Sequence, residues 1–318
     1  MRLKDDEWTI AHLHQHLQAA VDLEFWTIPY YMSALYSVVD RTTQAVQLVQ
    51  SVVNQEMLHV QLACNIANAY GLSPRFAAPV YRGHGIPHLD FALDKPDPRP
   101  EFAPYSAEIG PLDIPRINGM CLIEYPEWDT GGKAILRDTI TEYGSIGEFY
   151  DALQYGAGLL RRHIQGGVRQ VDHFSAFYNN MPSLTVTDSD GDGYNQVVLL
   201  INTIREQGEG TSGASAALPA AYQNTADDSD PSWPHFQKFQ TIRQTVEKPL
   251  TYPVTLAVDY SDHQRALAAT LVETFGRFRT ALEQLFAGGN PGGFVPLMIS
   301  VGACIQNCWK NGVTPRFG

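Results

Sequence analysis

The chain has 318 residues, 44% hydrophobic and 18% charged, which is the composition of a soluble globular protein long enough to bury a substantial core. A net charge of -12 offers no basic stripe for nucleic acid or an anionic membrane, and no apolar run reaches the roughly 18 residues of a membrane span. The start, "MRLKDDEWTI", lacks the features of a secretory signal, so a cytoplasmic protein is expected.

From Trp8 to about Asp40, Leu13, Leu17 and Ala20 recur at helical spacing, and continuing that stripe by four lands on Glu24. Pro29 in "LEFWTIPYY" has no amide hydrogen and is expected to kink or restart the helix one turn past Glu24. A second helix, about 42 to 70, carries Val49, Val52, Val53, Val60, Ala63 and Ala67 on one face, with Glu56 and His59 in the same seam. Gly71 and Pro74 signal its end. Residues 72 to 135 are punctuated by proline and glycine and predict a long, mostly irregular excursion with two short strands, including the apolar run "INGMCLIEYPEW".

Helical pattern returns at 145 to 162 with Ser145 as N-cap, where Glu148 begins the stripe Ala152, Tyr155, Leu159. Residues 188 to 210 open with turn chemistry and continue as a helix ending in two glycines. "TSGASAALPAAYQNTADDSDPSWP" predicts a surface loop, and three further helices are expected from His235, His263 and Phe294. No internal repeat is present. The expected organisation is a single domain over 1–318, with its core in about 8–70 and 140–245, a loop-rich insertion at about 72–135 and a helical extension at about 260–318.

Four helices thus bring acids to apolar seams: Glu24, Glu56 with His59, Glu148, and Glu206 with Glu209. Residues three apart share a helix face, so each pair points at one centre. Burying several carboxylates together is costly unless protons or cations neutralise them, and two divalent metals would nearly balance the set. Glu209 adds to this, since a negative charge at a helix C-terminus is disfavoured by roughly 0.3 to 1 kcal/mol and calls for compensation. Gly208 and Gly210 each weaken the helix by about 1 kcal/mol relative to alanine, which suggests close packing or a cavity. A di-iron bundle supplies one Glu from each of two helices and a Glu-x-x-His pair from each of the others. Here the second pair is Glu206-x-x-Glu209, so the missing histidine is sought elsewhere, with His235 in "SWPHFQKF" as the candidate.

"LEFWTIPYYMSALYS", "EMLHVQLACNIANAYGLSP", "IGEFYDAL", "IREQGEG" and "PHFQKF", in this order, resemble the ferritin-like domain at the start of iminophenyl-pyruvate dimer synthases, enzymes of violacein- and rebeccamycin-type indole pathways. The resemblance covers roughly residues 10 to 245, and the terminal "VTPRFG" is more weakly similar. It implies a mainly α, ferritin-like helical bundle and a metal centre drawn from Glu24, Glu56, His59, Glu148, Glu206, Glu209 and His235. The chain is much shorter than those synthases, and family likeness implies the site more securely than the reaction.

Three other features have blander explanations. "DSDGDG" places Asp188, Asp190 and Asp192 as in a calcium loop, but position twelve is Leu199, so acids at a helix N-terminus are the better account. His12 and His16 have zinc-compatible spacing without completing ligands. Cys64, Cys121, Cys304 and Cys308 form no CxxC pair and are expected as reduced thiols.

The expected function is a metal-dependent oxidoreductase or oxygenase holding iron, two ions by preference, or manganese or another divalent metal. It would use O2 or peroxide on a small organic substrate. The alternatives are an imine-coupling biosynthetic enzyme and a non-catalytic metal-binding protein. Oligomeric state is left open, a homo-oligomer included.

Overall fold

The computed structural model describes residues 2–93, 96–126, 134–141, 143–174, 184–210, 222–223, 230–245 and 247–318. The stretch expected as a surface loop, 211–234, lies for the most part outside the described residues.

The first helix, α1 (Ile10–Ser37), starts at a capping box in which the Thr9 hydroxyl accepts from the His12 amide and the His12 ring accepts from the Thr9 amide. His12 is thereby a capping residue. The helix runs unbroken through Pro29, which corrects the expected restart: α1 is buried on nearly every face, and packing outweighs the loss of one backbone hydrogen bond. After a short connection, α2 (Gln44–Ala69) returns along it. It ends as the sequence predicts, with Gly71 at φ +81°, the Gly71 amide on the Asn68 carbonyl and the Leu72 amide on the Ala67 carbonyl.

In place of two strands, the punctuated region contains the helix α3 (Ile114–Ile123), capped by Asp113 with Pro115 in its first turn. No strand occurs among the described residues. Next comes α4 (Ile146–Leu159), capped by Ser145 as expected, and then α5 (Asp190–Gly208). With α1 and α2 they form the four-helix core: α5 packs on α2 and α4, and α4 on α1. The Asp188 carboxylate accepts from Gln196, so the "DSDGDG" stretch serves the start of α5.

Three more helices complete the fold. α6 (His235–Gln244) packs on α3 and α2. α7 (Asp262–Phe286) and α8 (Phe294–Lys310) form a hairpin against α1 and α2, tied down where the Trp309 indole donates to the Ser33 carbonyl at 2.8 Å. The four cysteines are free thiols.

His16 is fully buried, which its zinc-like spacing does not suggest. Its Nδ1–H donates to the His12 carbonyl at 2.8 Å, so Nε2 accepts from the Tyr143 hydroxyl at 2.8 Å. Trp8 and Phe149 pack on the ring. Burial first, then the neighbouring His12 and His88 charges, lower its pKa to about 4, against the opposing bond to His12. A depressed pKa means the native state binds fewer protons than the unfolded chain. The stability contribution is therefore complete above pH about 6.5 and is lost as pH falls towards 4, a total of roughly 3 kcal/mol. In urea denaturation at pH 7 and pH 4.5, His16→Gln should lose less stability on acidification than wild type; equal losses would contradict the burial argument.

Candidate metal centre

Glu24 on α1, Glu56 and His59 on α2, Glu124 at the end of α3, Glu209 at the end of α5 and His235 at the start of α6 are all buried. His59 Nδ1 lies 3.4 Å from Glu24 Oε2 and 3.7 Å from Glu56 Oε1. His235 Nδ1 lies 2.9 Å from the same Glu56 oxygen and 3.5 Å from Glu124 Oε1. The two imidazoles stack with centroids 5.3 Å apart. Glu56 is the shared residue.

The remote ring nitrogens explain that orientation. Gln207 Nε2 donates to the Tyr222 carbonyl, which turns Gln207 Oε1 towards His59 and makes it the acceptor, at 3.0 Å, of the His59 Nε2 hydrogen. Gln55 Oε1 faces the donor-only ammonium of buried Lys238 at 3.5 Å and accepts from His235 Nε2 at 2.9 Å. With both Nε2 atoms serving as donors, each ring turns its Nδ1 towards carboxylate oxygens, the place of a ligand atom when a cation lies between them. With its hydrogen on Nε2, His235 Nδ1 has no hydrogen of its own to give the two carboxylates it faces. Such a group calls for a cation or a proton.

Hydroxyl groups hold the carboxylates from behind. Thr27 donates to Glu56 Oε2 at 2.6 Å, Tyr31 to Glu124 Oε1 at 2.7 Å, and Tyr150 to Glu24 Oε1. Burial pushes the Glu56 carboxyl well above the usual carboxylate range, reinforced by Glu124 and Glu24 and opposed by His59. For Glu124, burial is outweighed by His235 and the Tyr31 hydrogen bond, and its pKa falls. His59 is raised: burial would lower it, but the bond to Glu24 and the Glu56 charge prevail. Protons thus supply some of the positive charge in this arrangement.

The structure brings Glu24, Glu56, His59 and His235 together, and with them Glu124, which pattern analysis missed. Glu209 lines the same small cavity, and its charge at the α5 terminus is met by Arg205 Nε at 3.3 Å. Glu148 lies elsewhere. As the third residue of α4 it accepts from the Gly144 amide and from Arg137 Nε at 3.1 Å, and Tyr150, two residues on, is the α4 side chain that hydrogen-bonds to Glu24. Glu206 is also outside the cluster, near Tyr222, whose phenol is raised by burial and then by the Glu206 charge. The glycines have separate uses: a Cβ at Gly208 would sit 3.0 Å from Glu124 Oε2, and Gly210, at φ +75°, turns the chain against Pro234. The first makes room for a carboxylate.

The four-helix core, with α3 and α6 packed beside it, thus buries a group of carboxylates and two imidazoles, and Glu56, His59 and His235 offer ligand atoms close enough together to hold a metal ion. A family model described as ferritin-like matches residues 17–244, and the chain belongs to the ferritin-like family. The crystal structure of a ferritin-like protein from Caulobacter vibrioides is 45% identical, covering 98% of this chain and 99% of that one, with a TM-score of 0.86. No curated protein matches the chain significantly.

Proposed function

We propose that the protein is a metal-dependent oxidoreductase, with two iron ions as the preferred occupants, that uses dioxygen or peroxide to oxidise a small organic substrate. The observation that carries this reading is the pair of amide-locked imidazoles turned onto one carboxylate, with His235 Nδ1 buried between Glu56 and Glu124. Glu24, Glu56 and His59 would hold one ion, and Glu56, Glu124 and His235 the other. Glu209 stands by in the same cavity. Bound iron would supply redox capacity and open positions for an oxidant. Carboxylates and imidazoles suit iron or manganese better than a thiolate-seeking metal.

The chain's own residues position and shield. The two glutamines fix the ring tautomers, Thr27, Tyr31 and Tyr150 fix the carboxylates, and Ile146 and Ile204 line the cavity with apolar surface. A second reading, imine coupling of the iminophenyl-pyruvate dimer synthase kind, is supported by the ordered motifs from "LEFWTIPYY" to "PHFQKF". Full activity after metal removal would favour a coupling role in which the bundle mainly binds substrate.

The test is anaerobic loading with Fe(II), metal analysis, and absorbance after exposure to oxygen, on wild type and His59→Ala. Wild type should bind about two ions and develop a ferric absorbance, and the variant about one with a much weaker change. Fewer than about one ion in wild type, with no spectral change, would end the proposal.

A further inference from the structure

We propose that Tyr31, Tyr30, Trp26 and Tyr81 form a one-electron relay between the buried carboxylate and imidazole centre and the surface groove lined by Tyr81; the inner end rests on the metal reading above.

The geometry is continuous. Tyr31 is hydrogen-bonded to Glu124 at 2.7 Å, and its ring centroid lies 5.8 Å from that of Tyr30. Tyr30 stacks on Trp26 at 5.0 Å, and Trp26 meets Tyr81 at 4.8 Å. Tyr81 also stacks on Tyr30 at 6.3 Å. Trp26, Tyr30 and Tyr31 are buried, whereas Tyr81 is partly exposed in a groove of about 560 Å³ shared with Val80, Arg82 and Phe317.

Buried aromatic side chains are ordinarily core, and another part of α1 shows what ordinary core looks like here. Phe25 packs against Phe76 and Phe275, and Phe275 against Phe278 and Phe317. That cluster meets the series at Phe317, which packs on Tyr81, and Phe239 packs on Tyr31 at 5.1 Å. The residues that link Glu124 to the groove are nevertheless three phenols and an indole, the oxidisable aromatics. Each polar end also needs its own partner in the fold: the Tyr30 hydroxyl on the Ser106 carbonyl, Trp26 Nε1 on the Val80 carbonyl at 3.0 Å, and the Tyr81 hydroxyl on the Trp26 carbonyl at 2.8 Å.

The chemistry balances with peroxide as oxidant and an ascorbate-type donor as reductant. With iron bound and oxidised by peroxide, Tyr31 would be the residue to give up an electron, its phenolic proton moving along the hydrogen bond to Glu124. An electron from Trp26, passed through Tyr30, restores the Tyr31 ring and its proton returns. Trp26 holds the vacancy as an indole cation with its N–H retained, because a carbonyl cannot take the proton; the Tyr30 and Tyr81 hydroxyls also face carbonyls, so these two rings keep their protons and serve as tunnelling bridges. The donor in the groove refills Trp26 through Tyr81. Two such events carry two electrons; with the two protons released by two donor molecules, one peroxide becomes two waters and each donor is oxidised by one electron.

The deciding experiment needs no metal. A ruthenium photo-oxidant is attached to Val80→Cys, at a position that is 60% exposed, in a Cys304→Ser background, since the other three cysteines are buried. After a laser flash, transient absorbance should show an indole radical and then a phenoxyl radical. Tyr31→Phe should abolish the late phenoxyl signal, and Tyr30→Phe should slow it at least about tenfold, a barrier change of about 1.4 kcal/mol. Near-ultraviolet circular dichroism confirms that each variant is folded. Unchanged phenoxyl yield and rise time in both variants would overturn the relay. In a second arm, iron-loaded, peroxide-oxidised protein is re-reduced by ascorbate. Trp26→Phe should slow re-reduction about tenfold with iron per chain unchanged, and an unchanged rate also overturns the relay. Wild type that binds no iron refutes the metal reading instead, and the photochemical arm still decides whether the rings conduct.

Discussion

Glu56→Ala is expected to empty both halves of the centre, with less than about half an ion per chain after anaerobic Fe(II) loading. His59→Ala should keep the half built on His235 and Glu124. The asymmetry follows from one oxygen: Glu56 Oε1 faces both Nδ1 atoms, at 3.7 and 2.9 Å, whereas each histidine serves one side. Metal that binds only the native state stabilises it by mass action, about 2.7 kcal/mol per site at a hundredfold excess over Kd. Thermal unfolding with and without Fe(II) should therefore show a large upward shift in wild type and none in Glu56→Ala. Without metal the variant should remain folded, because it removes a carboxyl that burial already disfavours as a charge. Wild-type loading in Glu56→Ala would show that the carboxylate is not shared.

Gly119→Ala should be strongly destabilising although it adds only a methyl group. A Cβ there would lie 2.6 Å from the Tyr30 hydroxyl oxygen and 2.8 Å from the Ser106 carbonyl oxygen. That carbonyl belongs to a backbone held in place by the Ser106 amide on the Pro115 carbonyl. Overpacking of this kind typically costs about 1 to 3 kcal/mol, against a helix-propensity gain of up to about 1 kcal/mol. Gly276 on α7 is the control, since a Cβ there meets nothing within 4 Å. Gly276→Ala should stabilise by up to about 1 kcal/mol, and urea denaturation of the two variants should give opposite signs.

The helical parts of the fold were legible because their signals are local. Ser145 and Gly71 mark boundaries by side-chain or backbone chemistry within a few residues, and the stripes of α1 and α2 follow one period. Helix α3 was not legible: its ten residues are flanked by proline, and the signal of a short helix is weak beside that of the surrounding turns. Glu124 was lost with it, as a carboxylate one residue past the helix in a region expected to be loop. The only trace was a Glu closing the otherwise apolar "MCLIE".

Glu56 and His59 were found because an i, i+3 pair shares a face whatever the tertiary packing. Glu148 misled for the complementary reason. Its phase along α4 points to the seam, but at the third position after an N-cap a carboxylate is also drawn to free backbone amides, and Arg137 completes that alternative. Periodicity gives direction around a helix axis and says nothing of position along it. Glu206 and Glu209 have different neighbours at the end of α5: Glu209 lines the cavity beside Arg205, and Glu206 lies near Tyr222.

The carboxamides behind His59 and His235 also set the electrical character of the pocket. An acidic partner in either place would add a full negative charge and make its ring a stronger base, whereas an amide oxygen steers the ring while remaining neutral at every accessible pH. The anionic charge that draws cations inward is therefore left to the glutamates, and orientation and charge can vary independently: altering Gln55 or Gln207 would misdirect a ring without changing the count of acids, and altering a glutamate would change the count while leaving both rings correctly turned.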